Sequence, residues 1–186
     1  LIWNSLKQWS FLQSRLPPKI ADTAPPVFHP GTDSVRRLPS SGIIHPGSGG
    51  KHKCRPLRDF QDLSLILLEE GQNVTWLLGY AEEAIQNEVI SFCKRHEMEL
   101  LLHPPLETVI ERLLRVTWYL GNDSGISHLA AFCGAESFLL FGPTSPAEWG
   151  PKGSHVHFLY NETQQNVWAS QEHIVRQLTN WIKVKR

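Results

Sequence analysis

Short apolar segments alternate with longer amphipathic segments along most of this 186-residue chain, and the alternation restricts the folds that are open to it. Apolar segments of strand length, separated by helices, are typical of a parallel sheet covered on both faces. The expected fold class is therefore α/β, a Rossmann-like parallel sheet with helices on both faces. The predicted strands are Gly42–His45, Asn73–Leu78, Glu99–His103, Thr117–Leu120, Glu136–Phe141 and His155–Tyr160. The predicted helices are Leu57–Glu70, Ala81–His96, Leu106–Leu114, Ile126–Cys133 and Gln171–Val184.

The first part of the chain is predicted to lie outside that sheet. Its apolar residues recur at three- and four-residue spacing, which predicts one amphipathic helix that ends before Pro17. Six prolines fall between Pro17 and Ser41, and they indicate a linker without regular structure. We therefore expect an N-terminal helix and proline-rich linker over residues 1–41 and a Rossmann-like domain over residues 42–186.

Composition excludes several classes of protein. The formal net charge is zero at pH 7, so no strongly basic surface points to a nucleic-acid partner. The three cysteines, Cys54, Cys93 and Cys133, lack the spacing of a metal site and are expected to be free thiols in a reducing compartment. No segment reaches the length of a transmembrane helix, and no signal peptide is visible at the start. These features predict a cytoplasmic protein.

A polar turn, Asn122-Asp123-Ser124-Gly125, follows a buried strand that is predicted to break at Gly121, and it precedes an apolar helix. The first N–H groups of a helix have no internal partner, and the helix dipole makes that end positive. A phosphate can therefore reach the amides of such a turn, and an aspartate there can accept hydrogen bonds from sugar hydroxyls. The alternative is an ordinary N-cap, for which Asp and Ser are equally suited.

A second segment, from Ile43 to Pro56, has the same strand-to-helix form. A glycine-rich loop and several basic residues follow the predicted strand, and Pro56 suits the first position of a helix. The loop is not a Walker A motif, because Lys51 is followed by His52 where Ser or Thr is required. Both turns fall at the carboxyl edge of the predicted sheet, where such folds bind ligands. That coincidence favours a binding site over two unrelated helix caps.

The ordered set of motifs resembles the C-terminal half of glycosyltransferase family 9, the heptosyltransferases of lipopolysaccharide core assembly and their relatives. The resemblance runs from about Ile43 to Gly153. It implies the C-terminal domain of a GT-B glycosyltransferase, which binds a nucleoside-diphosphate sugar, with ADP-heptose as the first candidate. The matching segments are His45–Gly49, Lys53 before Pro56, Gly79 with Glu82, Asn122–Gly125 with His128–Ala131, Phe141–Pro146 and Trp149–Gly153.

The family has two Rossmann-like domains, and this length supplies one. The chain also begins at Leu1 rather than methionine. We therefore expect a fragment or a truncated relative that lacks the N-terminal, acceptor-binding domain.

Eight residues are candidates for donor binding: Ser48, Gly49, Lys53, Glu82, Asp123, Ser124, Gly125 and His128. Ser48 and Gly49 would let the backbone approach a diphosphate, or they form only a flexible turn. Lys53 would supply a cation near the leaving phosphates, or it is a solvated surface lysine. Arg55 stands where the family usually has tryptophan, and it could add a second phosphate contact.

The remaining candidates also have alternatives. Glu82 matches the acidic residue that, by the resemblance, binds the ribose; otherwise it is a first-turn helix glutamate, and Glu83 competes for the assignment. Asp123 is expected to hold sugar hydroxyls, while Ser124 and the Gly125 amide hold phosphate. His128 is either a ligand contact or a packed or capping histidine.

No catalytic residue is expected in this chain, because by the resemblance the catalytic aspartate belongs to the other domain. Asp22 and Asp33 lie in the linker and look solvated. No Asp-x-Asp pair is present, which agrees with a mechanism that needs no metal or cofactor. His155 and His157 fall on one face of a predicted strand, but they lack further ligands for zinc.

The full enzyme would transfer a sugar, with heptose as the first candidate, to a saccharide or lipid-linked acceptor, in peripheral contact with the inner membrane. The chain alone is expected to be inactive. The main alternative is a non-catalytic nucleotide-sugar-binding module, or a degenerate remnant that acts with a partner chain. A sugar-nucleotide epimerase is a third, weaker interpretation.

Overall fold

The computed structural model of the protein describes residues 37–164 and 167–185, and a single parallel sheet forms the centre of this part. Its strands are β1 (Ser41–His45), β2 (Asn73–Leu78), β3 (Glu99–Leu102), β4 (Trp118–Asn122), β5 (Glu136–Leu140) and β6 (Val156–Leu159). They lie in the order β3-β2-β1-β4-β5-β6. The helices are α1 (Leu57–Glu69), α2 (Gln86–Arg95), α3 (Leu106–Arg115), α4 (Gly125–Phe132), α5 (Pro146–Trp149) and α6 (Gln171–Lys185), with 3₁₀ turns at Lys51–Lys53 and Tyr80–Ile85.

Both faces of the sheet are covered by helices. Successive residues of a strand point to opposite faces, so a strand that is apolar throughout must be buried on both. On one face Ile44 and Trp118 pack in a cluster with side chains of α1, α2 and α6. On the other face Ile43 and Tyr119 pack in a second cluster with side chains of α3 and α4. The predicted α/β class, with a parallel sheet between two helical layers, is confirmed.

All six predicted strands are present, each within two residues of its predicted bounds. One prediction about β4 is wrong, because the strand does not break at Gly121. Gly121 pairs with both His45 and Leu139, and β4 continues to Asn122. A Cβ at Gly121 would lie 2.3 Å from the Tyr119 hydroxyl, so this glycine provides room inside the strand rather than ending it.

Each of the five predicted helices has a counterpart among the six α-helices of the described residues, but the bounds differ in detail. The predicted helix Ala81–His96 is a 3₁₀ turn, Tyr80–Ile85, followed by α2. Its first turn is tightened because the Glu82 carboxylate bonds back to the Gly79 amide. Pro56 occupies the N-cap of α1 rather than its first position. The short helix α5 and the turn Lys51–Lys53 had no periodicity by which to predict them.

The predicted helix and most of the predicted linker, residues 1–36, lie outside the described residues. The segment just before β1 contacts the domain. The Leu38 amide donates to the Arg115 carbonyl over 2.7 Å, and the Arg37 guanidinium donates to the Cys133 carbonyl over 2.9 Å. Within the described residues, Arg37 and Leu38 of the predicted linker thus already contact the domain.

Cys54, Cys93 and Cys133 are free thiols, as predicted. Within residues 37–164 and 167–185, no helix has the length and apolar character needed to cross a membrane. In the same ranges no group of three His, Cys, Asp or Glu side chains is placed to hold a metal ion.

Candidate functional site

The order of the strands opens a cleft at the carboxyl edge of the sheet. After β1 the chain crosses to the face covered by α1, and after β4 it crosses to the opposite face, covered by α4. The two loops therefore diverge between adjacent strands, which is where open α/β sheets bind ligands. The cleft has a volume of about 860 Å³. It is lined by all eight residues predicted for donor binding: Ser48, Gly49, Lys53, Glu82, Asp123, Ser124, Gly125 and His128.

The glycine-rich loop after β1 is tied to the turn after β4. The Ser48 hydroxyl donates to the Asp123 carbonyl over 2.7 Å. Lys53 Nζ lies 2.9 Å from Asp123 Oδ2, and the Lys53 side chain is 27% exposed. Gly49 has nothing within 4 Å of where a Cβ would be, so open space surrounds that part of the loop. A half-exposed cation thus stands beside a loop that an anion can approach.

Asp123 is not the cap of α4. The N-cap is Ser124, whose hydroxyl oxygen accepts from the Ser127 amide over 3.2 Å. Asp123 Oδ2 instead accepts from Lys53 and from the Thr144 hydroxyl, each over 2.9 Å, and the Asp123 side chain is 8% exposed. The ordinary capping role therefore belongs to Ser124, and the carboxylate of Asp123 faces the cleft with a cation beside it.

Glu82 is the buried one of the two candidate glutamates, whereas Glu83 is exposed and does not line the cleft. Glu82 Oε2 accepts from the Gly79 amide over 2.7 Å and lies 3.7 Å from His45 Nε2. Burial by itself raises the pKa of Glu82, but His45 and the amides outweigh it and hold the pKa below its ordinary value. Glu82 is therefore a carboxylate at neutral pH. Gly47 makes room for it, because a Cβ there would lie 1.9 Å from Glu82 Oε1.

His128 lies one turn along α4 from Asp123 and is half-buried. Burial lowers the pKa of His128, although the nearby Asp123 carboxylate acts in the opposite direction. The His128 ring forms a hydrogen bond with the backbone of Trp149. The side chain is thus a neutral imidazole at neutral pH, held between α4 and α5.

Arg55 corrects an expectation, since it does not reach the cleft. The residue is 6% exposed, and its Nε lies 2.7 Å from Asp59 Oδ2 on α1. Its other nitrogens donate to the Ala169 carbonyl over 2.8 Å and to Gln171 Oε1 over 3.2 Å. Arg55 therefore joins the end of the glycine-rich loop to the start of α6 rather than contacting a phosphate.

The apolar walls of the cleft were not predicted. Tyr80 is 79% exposed and stacks on His103, with ring centroids 4.3 Å apart. The ring of Trp149 lies 5.5 Å from Lys53 Nζ, which places an aromatic surface beside the Lys53–Asp123 pair. Leu106 and Ile126 also line the cleft. Trp149 begins the Trp149–Gly153 segment that matched the family, so that segment was the signal that could have assigned it to the site.

The cleft therefore combines three kinds of surface. Lys53 and the first amides of α4 attract negative charge. Glu82 and Asp123 offer carboxylate oxygens to hydroxyl groups. Aromatic and aliphatic side chains provide area for an apolar ring. A ligand with an anionic centre between a polyhydroxylated part and a planar part matches this arrangement.

Solved structures with the same fold include heptosyltransferases. ADP-heptose lipopolysaccharide heptosyltransferase II of E. coli matches with a TM-score of 0.68 and 19% identity, over 82% of this chain and 48% of that one. E. coli heptosyltransferase WaaC with ADP matches with a TM-score of 0.62 and 18% identity, over 83% and 46%. A family 9 glycosyltransferase of Veillonella parvula matches with a TM-score of 0.64 and 17% identity, over 77% and 46%. At these identities the likeness concerns the fold.

The chain spans about half the length of these structures. No curated protein matches it. The model of glycosyltransferase family 9 (heptosyltransferase) matches residues 29–178, which include every strand and every residue of the cleft described above. That match covers well over half of the sequence, and the chain therefore belongs to glycosyltransferase family 9.

Proposed function

We propose that this chain is the donor-binding, C-terminal half of a family 9 glycosyltransferase, and that its cleft holds a nucleoside-diphosphate sugar. The observation that carries the proposal is the Lys53–Asp123 pair at the start of α4, in a cleft that also contains the buried carboxylate of Glu82. ADP-heptose is the first candidate for the donor. Its support is that WaaC, which shares the fold, has been solved with ADP and with ADP-2-deoxy-2-fluoro heptose.

In this proposal the diphosphate lies against Lys53 and the amides that begin α4. Negative charge develops on the diphosphate as the sugar departs, and a fixed cation with a helix end stabilises that charge. Glu82 accepts a hydrogen bond from the ribose, for which its ionised state is suited. The apolar walls at Tyr80 and Leu106 accommodate the base.

Asp123 takes part by exchanging its partner. Lys53 and Thr144 both donate to Asp123 Oδ2 in the structure. When a diphosphate arrives, Lys53 turns to the phosphate oxygens, and the carboxylate becomes available to hydroxyls of the transferred sugar. The half-exposed Lys53 can make this change without moving the backbone.

The proposed acceptor is a saccharide of the lipopolysaccharide core, held by a domain outside this chain, which would also supply the base that deprotonates the attacking hydroxyl. A lipid-linked acceptor would bring the complete enzyme to the cytoplasmic surface of the inner membrane.

Both carboxylates of the cleft already have hydrogen-bond or ion-pair partners. Glu82 contacts Gly79 and His45, and Asp123 contacts Lys53 and Thr144. This favours binding without turnover by the chain alone, and a non-catalytic nucleotide-sugar-binding module that acts with a partner chain is the second candidate.

Calorimetric titration of the 186-residue chain with ADP, GDP, UDP and their sugar conjugates tests the proposal. We expect one diphosphate to bind clearly better than its nucleoside, and no transfer of sugar to an acceptor by the chain alone. Absence of binding by every diphosphate would refute the donor-site assignment. Turnover by the pure chain would instead refute the assignment of the catalytic base to a missing domain.

A further inference from the structure

A row of buried polar side chains lies beneath the floor of the cleft and joins its two sides. His45 Nδ1 is 3.4 Å from the Tyr119 hydroxyl, which is 3.1 Å from Ser127 Oγ. Ser127 Oγ is in turn 3.0 Å from Ser124 Oγ. At the other end, His45 Nε2 lies 3.7 Å from Glu82 Oε2. We call this row the His45–Ser124 chain. It connects Glu82, the carboxylate that we propose binds the ribose, with Ser124, the hydroxyl that we propose binds a phosphate.

The middle of the His45–Ser124 chain is closed to solvent. Tyr119 is fully buried, and Ser127 and His45 are nearly so. Burial raises the pKa of Tyr119, so its hydroxyl keeps its proton at neutral pH. Because Tyr119 and Ser127 are closed to water, their hydroxyls must find hydrogen-bond partners among protein groups.

Counting protons restricts how the chain can be arranged, since each hydroxyl donates only once. The Ser127 hydroxyl donates to the Asn122 carbonyl, so towards Tyr119 and Ser124 it can only accept. Ser127 Oγ has two lone pairs and can accept from Tyr119 and Ser124 together. If Tyr119 donates to Ser127, the Ser124 proton shares that oxygen with it and is more easily given up to the cleft. If Tyr119 donates to His45, the Ser124 proton is the only one in the row that Ser127 Oγ accepts. The direction of the Tyr119 hydroxyl thus biases how readily Ser124 donates to a ligand.

We propose that Tyr119 and His45 are positioning residues that orient the Ser124 hydroxyl towards a bound phosphate and link its orientation to the state of Glu82. This inference rests on the proposed function. Neither Tyr119 nor Ser127 lines the cleft, whereas Ser124 and His45 do, so any effect of the buried hydroxyls on a ligand passes through those two side chains. A ligand that contacts both Glu82 and Ser124 therefore interacts with the groups at both ends of the His45–Ser124 chain.

A double-mutant cycle tests the link. Tyr119→Phe keeps the ring and removes the hydroxyl, and we expect it to weaken binding of the preferred nucleoside diphosphate by about two- to tenfold, the range of one neutral hydrogen bond. In a Ser124→Ala background the same change should have no further effect, because no hydroxyl is left to orient. Ser124→Thr keeps both cap and hydroxyl and should restore the effect of Tyr119→Phe. Thermal melts of all variants establish that each is folded.

The outcomes separate the inference from the proposed function. An equal loss from Tyr119→Phe in both backgrounds, or no loss in either, overturns the positioning role while leaving the donor site intact. If the wild-type chain binds no diphosphate, the proposed function fails, and the imidazole nitrogen signals of His45 then decide the inference. We expect these signals to shift in Tyr119→Phe and also in Ser124→Ala, with His173 on α6 as the unchanged internal control. A shift in Tyr119→Phe alone shows that Ser124 is not linked to His45 and overturns the proposal.

Discussion

The two loops at the switch point between β1 and β4 differ in how they are held. The turn after β4 is buried: Asn122 is fully enclosed, and Asp123 and Ser124 are nearly so. The loop after β1 is open, with space around Gly49 and with Lys51 exposed. The buried turn nevertheless determines the shape of the open loop. Asn122 Nδ2 donates to the Pro46 carbonyl over 2.7 Å, and Asn122 Oδ1 accepts from the Arg55 amide over 3.2 Å.

One side chain of the rigid turn thus clamps both ends of the open loop. The proposed binding of phosphate requires a loop that is open enough for a ligand to approach and fixed enough to present the same geometry each time. Here the two requirements are divided between neighbouring segments, with order supplied by β4 and access supplied by β1. Sequence changes in the two loops should therefore have different consequences for folding and for binding.

The largest expected effect comes from removing the clamp. Asn122→Ala leaves the Pro46 carbonyl and the Arg55 amide without partners, and two buried unsatisfied groups cost about 2–4 kcal/mol of unfolding free energy. Urea unfolding measures the loss. Asn87→Ala, on the exposed surface of α2, is the control and should change stability by less than about 0.5 kcal/mol. Similar stability of both variants would show that Asn122 does not clamp the loop.

The next effect concerns binding rather than folding. Lys53→Ala should weaken diphosphate binding by about 1.5–3 kcal/mol, the usual range for a hydrogen bond to a charged group. Lys51→Ala is the matched control, because it removes the same charge from the same 3₁₀ turn but does not line the cleft. Titration at physiological salt separates the two, since screening suppresses the long-range contribution of Lys51. Equal losses of affinity in both variants would show that Lys53 acts only as a general surface charge.

Substitution by alanine at two glycines of the open loop should have different effects on the free energy of unfolding. Gly47→Ala places a Cβ 1.9 Å from Glu82 Oε1, so Glu82 must leave the Gly79 amide, and we expect a loss of about 1–3 kcal/mol in unfolding free energy. Gly49→Ala meets nothing within 4 Å and should stay within about 0.5 kcal/mol of wild type. Chemical unfolding of the pair provides the measurement. A neutral Gly47→Ala would mean that Glu82 is free to move.

Asp123→Asn should alter which ligand binds best. The change keeps the size of the side chain but removes the carboxylate that holds Lys53, so the bare diphosphate should bind about as well as before or slightly better. Binding of the complete nucleotide-sugar should fall by about 0.5–1.5 kcal/mol through the loss of one hydrogen bond to the sugar. Paired titrations with the diphosphate and its sugar conjugate measure the difference. If both ligands respond alike, Asp123 does not contact the sugar.

The smallest expected effect is a dependence of stability on pH. The folded-state pKa of Glu82 is depressed below its ordinary value of 4.5, so its ionised form stabilises the folded state above that pH and the stabilisation disappears as the pH falls through the folded value. Thermal melts of wild type and Glu82→Gln should therefore differ most at pH 7 and converge below about pH 4.5. A gap that stays constant down to pH 3.5 would show that the ionisation of Glu82 does not contribute.

The sheet could be predicted because its signal is local. Each strand is a short apolar run, burial on both faces requires such runs, and the carboxyl ends of parallel strands must meet at one edge. The same argument placed the segments that carry most of the candidate residues at that edge, and the family resemblance selected the eight residues that line the cleft. Gly121 shows its limit, because whether a glycine ends a strand or continues it depends on pairing with neighbouring strands, here with His45 and Leu139.

The partners of the site residues could not be predicted, since they depend on tertiary structure. Nothing local shows that Ser124 rather than Asp123 caps α4, or that Glu82 is buried while Glu83 is exposed. The direction of Arg55 depends on Ala169 and Gln171, which lie more than a hundred residues further along the chain. Tyr119 resembled an ordinary core aromatic, because a buried hydroxyl reveals its role only through its neighbours.

The ion pair between Lys53 and Asp123 gives the cleft its own counter-ion. An anion that binds a bare cation competes with the salt ions around that cation, and its affinity falls steeply as ionic strength rises. In the proposed binding mode the diphosphate instead displaces a carboxylate that belongs to the protein and cannot diffuse away. The affinity for a diphosphate should then depend only weakly on salt, and Asp123, by neutralising Lys53, should limit the binding of unrelated anions.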